Sequence, residues 1–184
     1  RCARLCAASM EEQRGRLLVL TPLPVRYRPF GVVADSIREA SCCCAVRLDG
    51  LEEPALLVLD RDFVFSLLDE FFGAGGFARP GQRPLTALET MLARKFAERF
   101  LAAFDLAGKP SSWHPCCGRS LSLPRLALLT PDGQPVWHLA FRALLGGRAG
   151  ALHLCLPEDF PARLAAGPAL AGAGREKDIP DTAG

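Results

Sequence analysis

Residues 56–104 read LLVLDRDFVFSLLDEFFGAGGFARPGQRPLTALETMLARKFAERFLAAF, and this stretch decides most of the predicted fold. The unbroken apolar run from Leu56 to Leu59 is typical of a strand that is covered on both faces. Asp60 follows it and is predicted to cap a helix that extends to Phe72, because apolar residues recur there at helical spacing. The chain is therefore expected to pass from a buried strand directly into an amphipathic helix.

A second helix is predicted from Thr86 to Phe104. Thr86 and Glu89 have the S/T-x-x-E spacing of a capping box, in which each side chain accepts a hydrogen bond from the other residue's N–H group. The apolar residues that follow step by four along one face of the helix: Leu88, Leu92, Phe96, Phe100 and Phe104. Both long helices thus have a start signal and an apolar stripe.

The turn between the two helices consists of Gly73, Ala74, Gly75 and Gly76. Gly73 fits the position where a residue in the left-handed conformation closes a helix, so the simplest interpretation is a helix end followed by a turn. No Gly-Lys-Ser/Thr follows, and the glycines end a helix instead of opening one. Neither a P-loop nor a dinucleotide-binding fingerprint is therefore predicted.

Composition excludes several classes of protein. The 184 residues are 49% hydrophobic, enough for the core of a single domain, and the net charge is +2. No basic stripe indicates nucleic acid binding, and no apolar run reaches the roughly 18 residues that cross a bilayer. The first residues lack the apolar core of a signal peptide, which favours a cytosolic protein without membrane insertion.

The eight cysteines do not have the spacing of a disulfide framework. A metal site built from Cys116, Cys117 and His114 is one hypothesis, but no CxxC pair or second cluster supports it. Buried thiols in a reducing compartment are the favoured interpretation. The run Cys42–Cys44 is accordingly predicted to lie in a buried strand, and no metal or other cofactor is expected.

The remaining chain predicts a sheet of short strands. We divide it into an N-terminal segment with a short helix (1–15), one α/β module (16–165) and a disordered tail without apolar periodicity (166–184). Within the module, further elements are predicted as follows: an extended edge at 16–28, a helical turn at 35–40, a strand pair at 41–48 and 54–59, a strand within 121–130, a hairpin of 137–143 with 152–156 around Gly146-Gly147, and a helix at 158–164.

Residues 54–63 and 150–160 resemble each other, since in both an apolar strand passes through acidic residues and a phenylalanine into a helix. Their separation is about half the chain, as a duplicated strand–helix unit would give. Two such halves predict a pseudo-two-fold α/β domain, with one mainly antiparallel sheet and helices on its faces.

These stretches resemble one known family. The segment PALLVLDRDFVFSLLDEFFGAGG, followed by RPLTALETMLARKFAERFLAAF and later by GALHLCLPEDFPARL, is similar to the middle domain of the flagellar motor switch protein FliM. The resemblance spans residues 16–165. The wider group includes the CheC and CheX phosphatases, and the implied fold is a three-layer α/β/α sandwich with pseudo-two-fold symmetry.

The resemblance implies a scaffold role without catalysis. FliM middle domains pack beside sibling subunits in the C-ring at the cytoplasmic base of the flagellar motor, linked to chemotaxis and motility, and carry the rotor protein FliG on a GGxG loop. That loop corresponds here to Gly73, Ala74, Gly75 and Gly76, with Ala74 replacing the second glycine; Phe72 and Asp69 precede it. These six residues are the predicted partner-binding site. No acidic N-terminal peptide of the CheY-binding kind is seen, so CheY binding is not expected.

Two alternative functions were weighed against the scaffold. A CheC-type phosphatase of phosphorylated CheY requires a Glu and an Asn one helical turn apart, and this sequence contains no Asn, which argues against it. A component of a type III secretion sorting platform would share the protein-binding role with other partners. His138 and His153 lie on neighbouring predicted strands and could face each other as a catalytic or metal pair, although ordinary structural histidines are the favoured interpretation.

Overall fold

The computed structural model describes residues 18–37, 40–47, 51–72, 85–107 and 130–166. Its strands and helices, in chain order, are β1 (Leu18–Pro22), β2 (Arg26–Pro29), α1 (Phe30–Ser36), β3 (Ala40–Val46), β4 (Ala55–Asp60), α2 (Arg61–Phe72), α3 (Ala87–Ala107), β5 (Pro135–Leu145), β6 (Arg148–Pro157) and α4 (Phe160–Ala166).

The six strands form a single sheet in the order β1-β5-β6-β4-β3, and β2 also pairs with β5. Every pairing in it is antiparallel. The long strand β5 reaches both β1 and β2, so these two short strands share one edge of the sheet. The predicted α/β fold with a mainly antiparallel sheet is confirmed.

Strands β5 and β6 are joined by the predicted two-glycine turn. Gly146 and Gly147 have φ angles of 57° and 80°, which a residue with a side chain adopts only under strain. Two consecutive positive φ values match the twist that a tight hairpin needs. The turn therefore fixes the β5–β6 register, in which His138 lies opposite Cys155.

Strand β3 is buried on both faces, as predicted for the cysteine run. Cys42 and Cys44 belong to the larger hydrophobic cluster, whereas Cys43 belongs to the smaller cluster on the opposite face. The four cysteines in the described ranges are all free and buried. Burial raises the pKa of the Cys43 and Cys155 thiols to about 12, so both behave as small apolar side chains.

Helices α2 and α3 pack on the face that carries the larger cluster. A row of aromatic side chains crosses this core. The ring centroids of Phe63 and Phe96 are 4.9 Å apart, and those of Phe100 and Phe141 are 5.5 Å apart. Phe96 and Phe100 stack along α3 at 6.4 Å. These rings connect α2, α3 and β5. Both predicted helices are therefore confirmed, and both lie on the same sheet.

Helix α1 packs on the opposite face through Phe30, Val33 and Ile37. The helical turn predicted at residues 35–40 was placed too late. Pro29 fixes the backbone just before the helix, and the apolar spacing begins at Phe30, so the helix occupies Phe30–Ser36. Helices thus contact both faces of the sheet, while the three-layer sandwich and its pseudo-two-fold symmetry stay predictions.

Several predictions fall outside the described residues. These are the N-terminal helix within 1–15, the turn Gly73–Gly76, the strand within 121–130 apart from Thr130, and the tail after Ala166. The proposed domain limits at 15 and 165 therefore remain predictions. No helix in the part of the chain that is described is long and apolar enough to span a membrane.

The predicted capping box of α3 is present. Thr86 N–H donates to Glu89 Oε2 at 2.7 Å, and Glu89 N–H donates to Thr86 Oγ1 at 3.3 Å. We expect Thr86→Ala to lower the free energy of unfolding by about 1 kcal/mol, since one helix N–H loses its partner. Thr90→Ala is the control and should change stability by less, as alanine favours the helix interior. Equal losses in urea denaturation would contradict the role of the cap.

Candidate functional site

The candidate site is the end of α2 that leads into the glycine turn, and the beginning of α2 determines where that end lies. Asp60 Oδ1 accepts a hydrogen bond from Phe63 N–H at 2.7 Å, which confirms the predicted cap. The other carboxylate oxygen, Oδ2, accepts from Ala151 N–H at 2.7 Å. One side chain therefore caps the helix and ties it to the central strand β6.

Gly150 allows the first turn of α2 to approach β6 closely. A Cβ atom at this position would lie 2.6 Å from Phe63 Cβ and 2.7 Å from its backbone nitrogen. The obstacle is largely backbone, so a side chain cannot be accommodated by a change of rotamer. Together with Asp60, this contact fixes the position at which α2 starts and therefore the direction in which it runs.

The last turns of α2 are held by an ion pair between Asp69 and Arg148. The Asp69 side chain is only 12% exposed, while that of Arg148 is 45% exposed. Asp69, which the sequence placed in the partner site, is thus directed towards the hairpin β5–β6. Its role in partner binding stays a prediction, and its observed role is to attach α2 to the start of β6.

Phe72, another predicted site residue, is the last residue of α2 and is 50% exposed. The remaining four, Gly73, Ala74, Gly75 and Gly76, lie outside the described residues. The structure therefore shows a firmly attached helix that ends on an exposed aromatic ring immediately before the glycine turn. Exposed aromatic side chains are the type that contributes most to protein–protein interfaces.

Two apolar residues of α3 were missed as candidates. Leu88 was predicted on the buried stripe, but it is 50% exposed, and Met91 is 46% exposed. Leu88 lies in the first turn of α3, whereas the fully buried core residues of this helix begin at Ala93. With Phe72, these side chains flank the glycine turn in sequence. The only sequence signal for the faces of α3 was the apolar pattern with a step of four, and Met91 lies outside that pattern.

His138 and His153 face each other across the β5–β6 hairpin, as the sequence allowed. His138 Nε2 lies 3.0 Å from His153 Nδ1, and Arg28 Nη2 lies 2.6 Å from His138 Nδ1. Burial, followed by the charges of His153, Arg28 and Arg26, lowers the pKa of His138 to about 4. Burial and Arg28 also lower the pKa of His153. Both rings are therefore neutral at pH 7.

The described ranges contain no group of three or more His, Cys, Asp or Glu residues that could hold a metal ion. The histidine pair therefore lacks the further ligands that a structural metal site requires. The hypothetical site of Cys116, Cys117 and His114 lies outside those ranges.

A family model described as "Flagellar motor switch protein FliM" matches residues 1–160. A curated FliM of Treponema pallidum is 26% identical over 161 residues, which are 84% of this chain and 45% of that protein. The chain thus spans less than half the length of this curated relative.

Solved structures of FliM middle domains have a similar fold. That of Vibrio alginolyticus aligns with a TM-score of 0.72 at 18% identity, covering 89% of this chain and 94% of the other. That of H. pylori gives a TM-score of 0.74 at 12% identity, with 90% of each chain covered. A chain of a FliG–FliM complex from H. pylori gives 0.76 at 13% identity, with 84% and 86% covered. The chain belongs to the FliM family of flagellar motor switch proteins and corresponds to its middle domain.

Proposed function

We propose that the chain is a non-enzymatic scaffold module of the flagellar C-ring that binds a FliG-like rotor protein through the end of α2. The observation that carries this proposal is the attachment of α2 at both ends, by Asp60 to β6 and by Asp69 to Arg148. A helix held in this way presents Phe72 and the following turn in a fixed position. Little conformational entropy is then lost when a partner binds.

The exposed apolar side chains of α2 and α3 supply a reason for binding. Phe72, Leu88 and Met91 are each about half exposed. Burying their exposed area against a partner is favourable by about 25 cal/mol for each Å². A related H. pylori structure is a FliG–FliM complex, which supports a FliG-like protein as the partner.

The proposed role includes no catalysis. A CheC-type site needs an amide side chain from Asn to orient water, and this sequence contains no Asn. We therefore expect no acceleration of phosphate release from phosphorylated CheY when the chain is added. A clear increase over CheY alone, measured as free phosphate, would contradict the non-enzymatic assignment.

The proposed setting is the cytoplasmic face of the flagellar basal body, where sibling subunits would lie side by side in chemotactic motor switching. The matching family model and the curated relative are both flagellar. They favour this setting over a type III secretion sorting platform. CheY binding by this chain is not part of the proposal.

A titration with the cognate FliG middle domain tests the partner and the site together. We expect saturable binding by the wild-type chain and at least about tenfold weaker binding by Gly75→Asp, because a charged side chain enters the contact. Gly133→Asp is the matched control, since a Cβ at Gly133 meets nothing within 4 Å. No binding by the wild type, or equal losses in both variants, would contradict the proposal.

A further inference from the structure

The edge strand β2 is joined to the sheet by three polar side chains that the proposed scaffold role does not use. Arg28 of β2 contacts His138 of β5, with Arg28 Nη2 2.6 Å from His138 Nδ1. His138 Nε2 in turn lies 3.0 Å from Nδ1 of His153 on β6. The imidazole rings are stacked, with centroids 5.2 Å apart and planes 15° apart. His138 is 4% exposed, whereas Arg28 and His153 are half-buried.

The chemistry of these groups allows one arrangement of protons. A guanidinium has donors only, so His138 Nδ1 must accept the hydrogen bond from Arg28. The proton of neutral His138 is therefore on Nε2, which donates to His153 Nδ1. His153 must then carry its own proton on Nε2. The chain of hydrogen bonds from Arg28 through His138 to His153 consequently requires both rings to be neutral.

The elements packed around the pair provide few groups that could stabilise a charged imidazole. Besides the pair itself, their titratable and charged side chains are Arg26, Tyr27 and Arg28 of β2, Arg142 of β5, Arg148 and Cys155 of β6, Asp60 of β4, Cys42, Cys43 and Cys44 of β3 and Asp35 of α1. The charges that act most on His138 are those of His153, Arg28 and Arg26, all of which oppose a further positive charge. Asp60 is engaged with the N–H groups of Phe63 and Ala151.

Strand β2 is a short strand at the edge of the sheet. It has four residues, of which three are exposed and one is half-buried. Its pairing partner in the described sheet is β5, and Pro29 has no N–H to donate. Helix α1, by contrast, is anchored by buried Phe30, Val33 and Ile37. The Arg28–His138 contact is thus one of the side-chain contacts that hold β2, beside the ring contact of Tyr27 with Trp137, whose centroids are 4.8 Å apart.

We propose that Arg28, His138 and His153 form an acid-sensitive latch that fastens β2 to the sheet and opens when either histidine takes up a proton from solvent. Protonation turns an accepting nitrogen into a donor that faces another donor, so a hydrogen bond is lost. It also adds a positive charge beside Arg28. The latch is a property of the fold and does not depend on the partner assigned to α2.

The direction of the pH effect follows from the pKa of His138, which is about 4 in the closed state against an ordinary value of 6.5. The open state binds the proton more readily, so the closed state is fully favoured above pH 6.5 and loses stability as the pH falls towards 4. Between pH 7 and pH 5, the ratio of open to closed β2 rises about twentyfold from His138 alone.

Two measurements on the intact wild-type chain test the latch. NMR titration of the three histidines should leave His138 neutral at pH 5.5 and should show a pKa below the ordinary value for His153. Hydrogen exchange, corrected for the intrinsic rate, should show β2 opening about twentyfold more at pH 5 than at pH 7, while α1 is unchanged. Histidines that all titrate near their ordinary value, or β2 protection that does not change with pH, would overturn the proposal.

Two variants distinguish the effect of the histidines on the pH response of β2 from that of the neighbouring Glu158. Tyr27, also on β2, donates a hydrogen bond to the neighbouring carboxylate of Glu158. Under the proposal, Glu158→Gln keeps the pH response of β2, whereas the double variant His138→Gln/His153→Gln loses it. Loss of the response in Glu158→Gln, or an unchanged response in the folded double variant, would contradict the latch.

Discussion

Replacing Gly150 by alanine is expected to lower the free energy of unfolding by about 3 kcal/mol or more. The new Cβ would lie 2.6 Å from Phe63 Cβ and 2.7 Å from the Phe63 nitrogen. Both atoms belong to the capped first turn of α2, so relief requires the helix to move away from β6. That movement also strains the hydrogen bond between Asp60 and Ala151 N–H.

Urea denaturation gives the measurement for this substitution. Gly133→Ala is the control, because open space surrounds that position, and its midpoint should stay close to that of the wild type. An unchanged midpoint for Gly150→Ala would mean that α2 is not held against β6 as described.

Removing the Phe100 side chain is expected to cost about 3–5 kcal/mol of stability. Phe100 is 2% exposed, and its ring contacts Phe96 within α3 and Phe141 on β5. Phe100→Ala would leave a cavity between α3 and the sheet that the neighbouring aromatic rings cannot fill. The measurement is again the free energy of unfolding in urea.

Phe72→Ala is the matched control for Phe100→Ala. The same side chain is removed from the same kind of element, but Phe72 is 50% exposed. We expect a stability loss of about 1 kcal/mol, well below that of Phe100→Ala, because half of the Phe72 side chain is already exposed in the folded chain. A loss as large as that of Phe100→Ala would show that Phe72 belongs to the core.

Signals that act over a few residues allowed correct predictions from the sequence. The cap at Asp60, the capping box of Thr86 and Glu89, and the Gly146-Gly147 turn depend on the backbone geometry of one turn. Such geometry is set by the residues themselves. The strands around these signals could therefore be placed, and the antiparallel sheet followed from their order.

Features that depend on tertiary contacts were harder to predict. Leu88 has the right spacing for the buried face, but the core begins one or two turns later. In the sequence, Asp69 has the pattern of an exposed acidic residue on a helix. Its ion pair with Arg148 depends on the β5–β6 hairpin lying against α2, which the sequence does not show. Gly150 gave no sign of its close contact with Phe63, since a glycine before a strand has many ordinary explanations.

The internal repeat has partial support from the register. Strands β4 and β6, which carry the two similar segments, are antiparallel neighbours that pair Leu57 with Leu154 and Val58 with His153. Each strand leads into a helix, α2 or α4. This arrangement is compatible with a duplicated strand–helix unit, while the two-fold symmetry itself stays a prediction.

The central claim is that the end of α2 faces the partner, and site-specific photo-cross-linking tests it most directly. A photoreactive amino acid at position 72 is compared with one at position 32, because Phe72 and Val32 are 50% and 51% exposed and belong to helices that pack on opposite faces of the sheet. With the cognate FliG middle domain, we predict a cross-link from position 72 and none from position 32. A cross-link from position 32 alone, or none from either position at saturating FliG, would contradict the account.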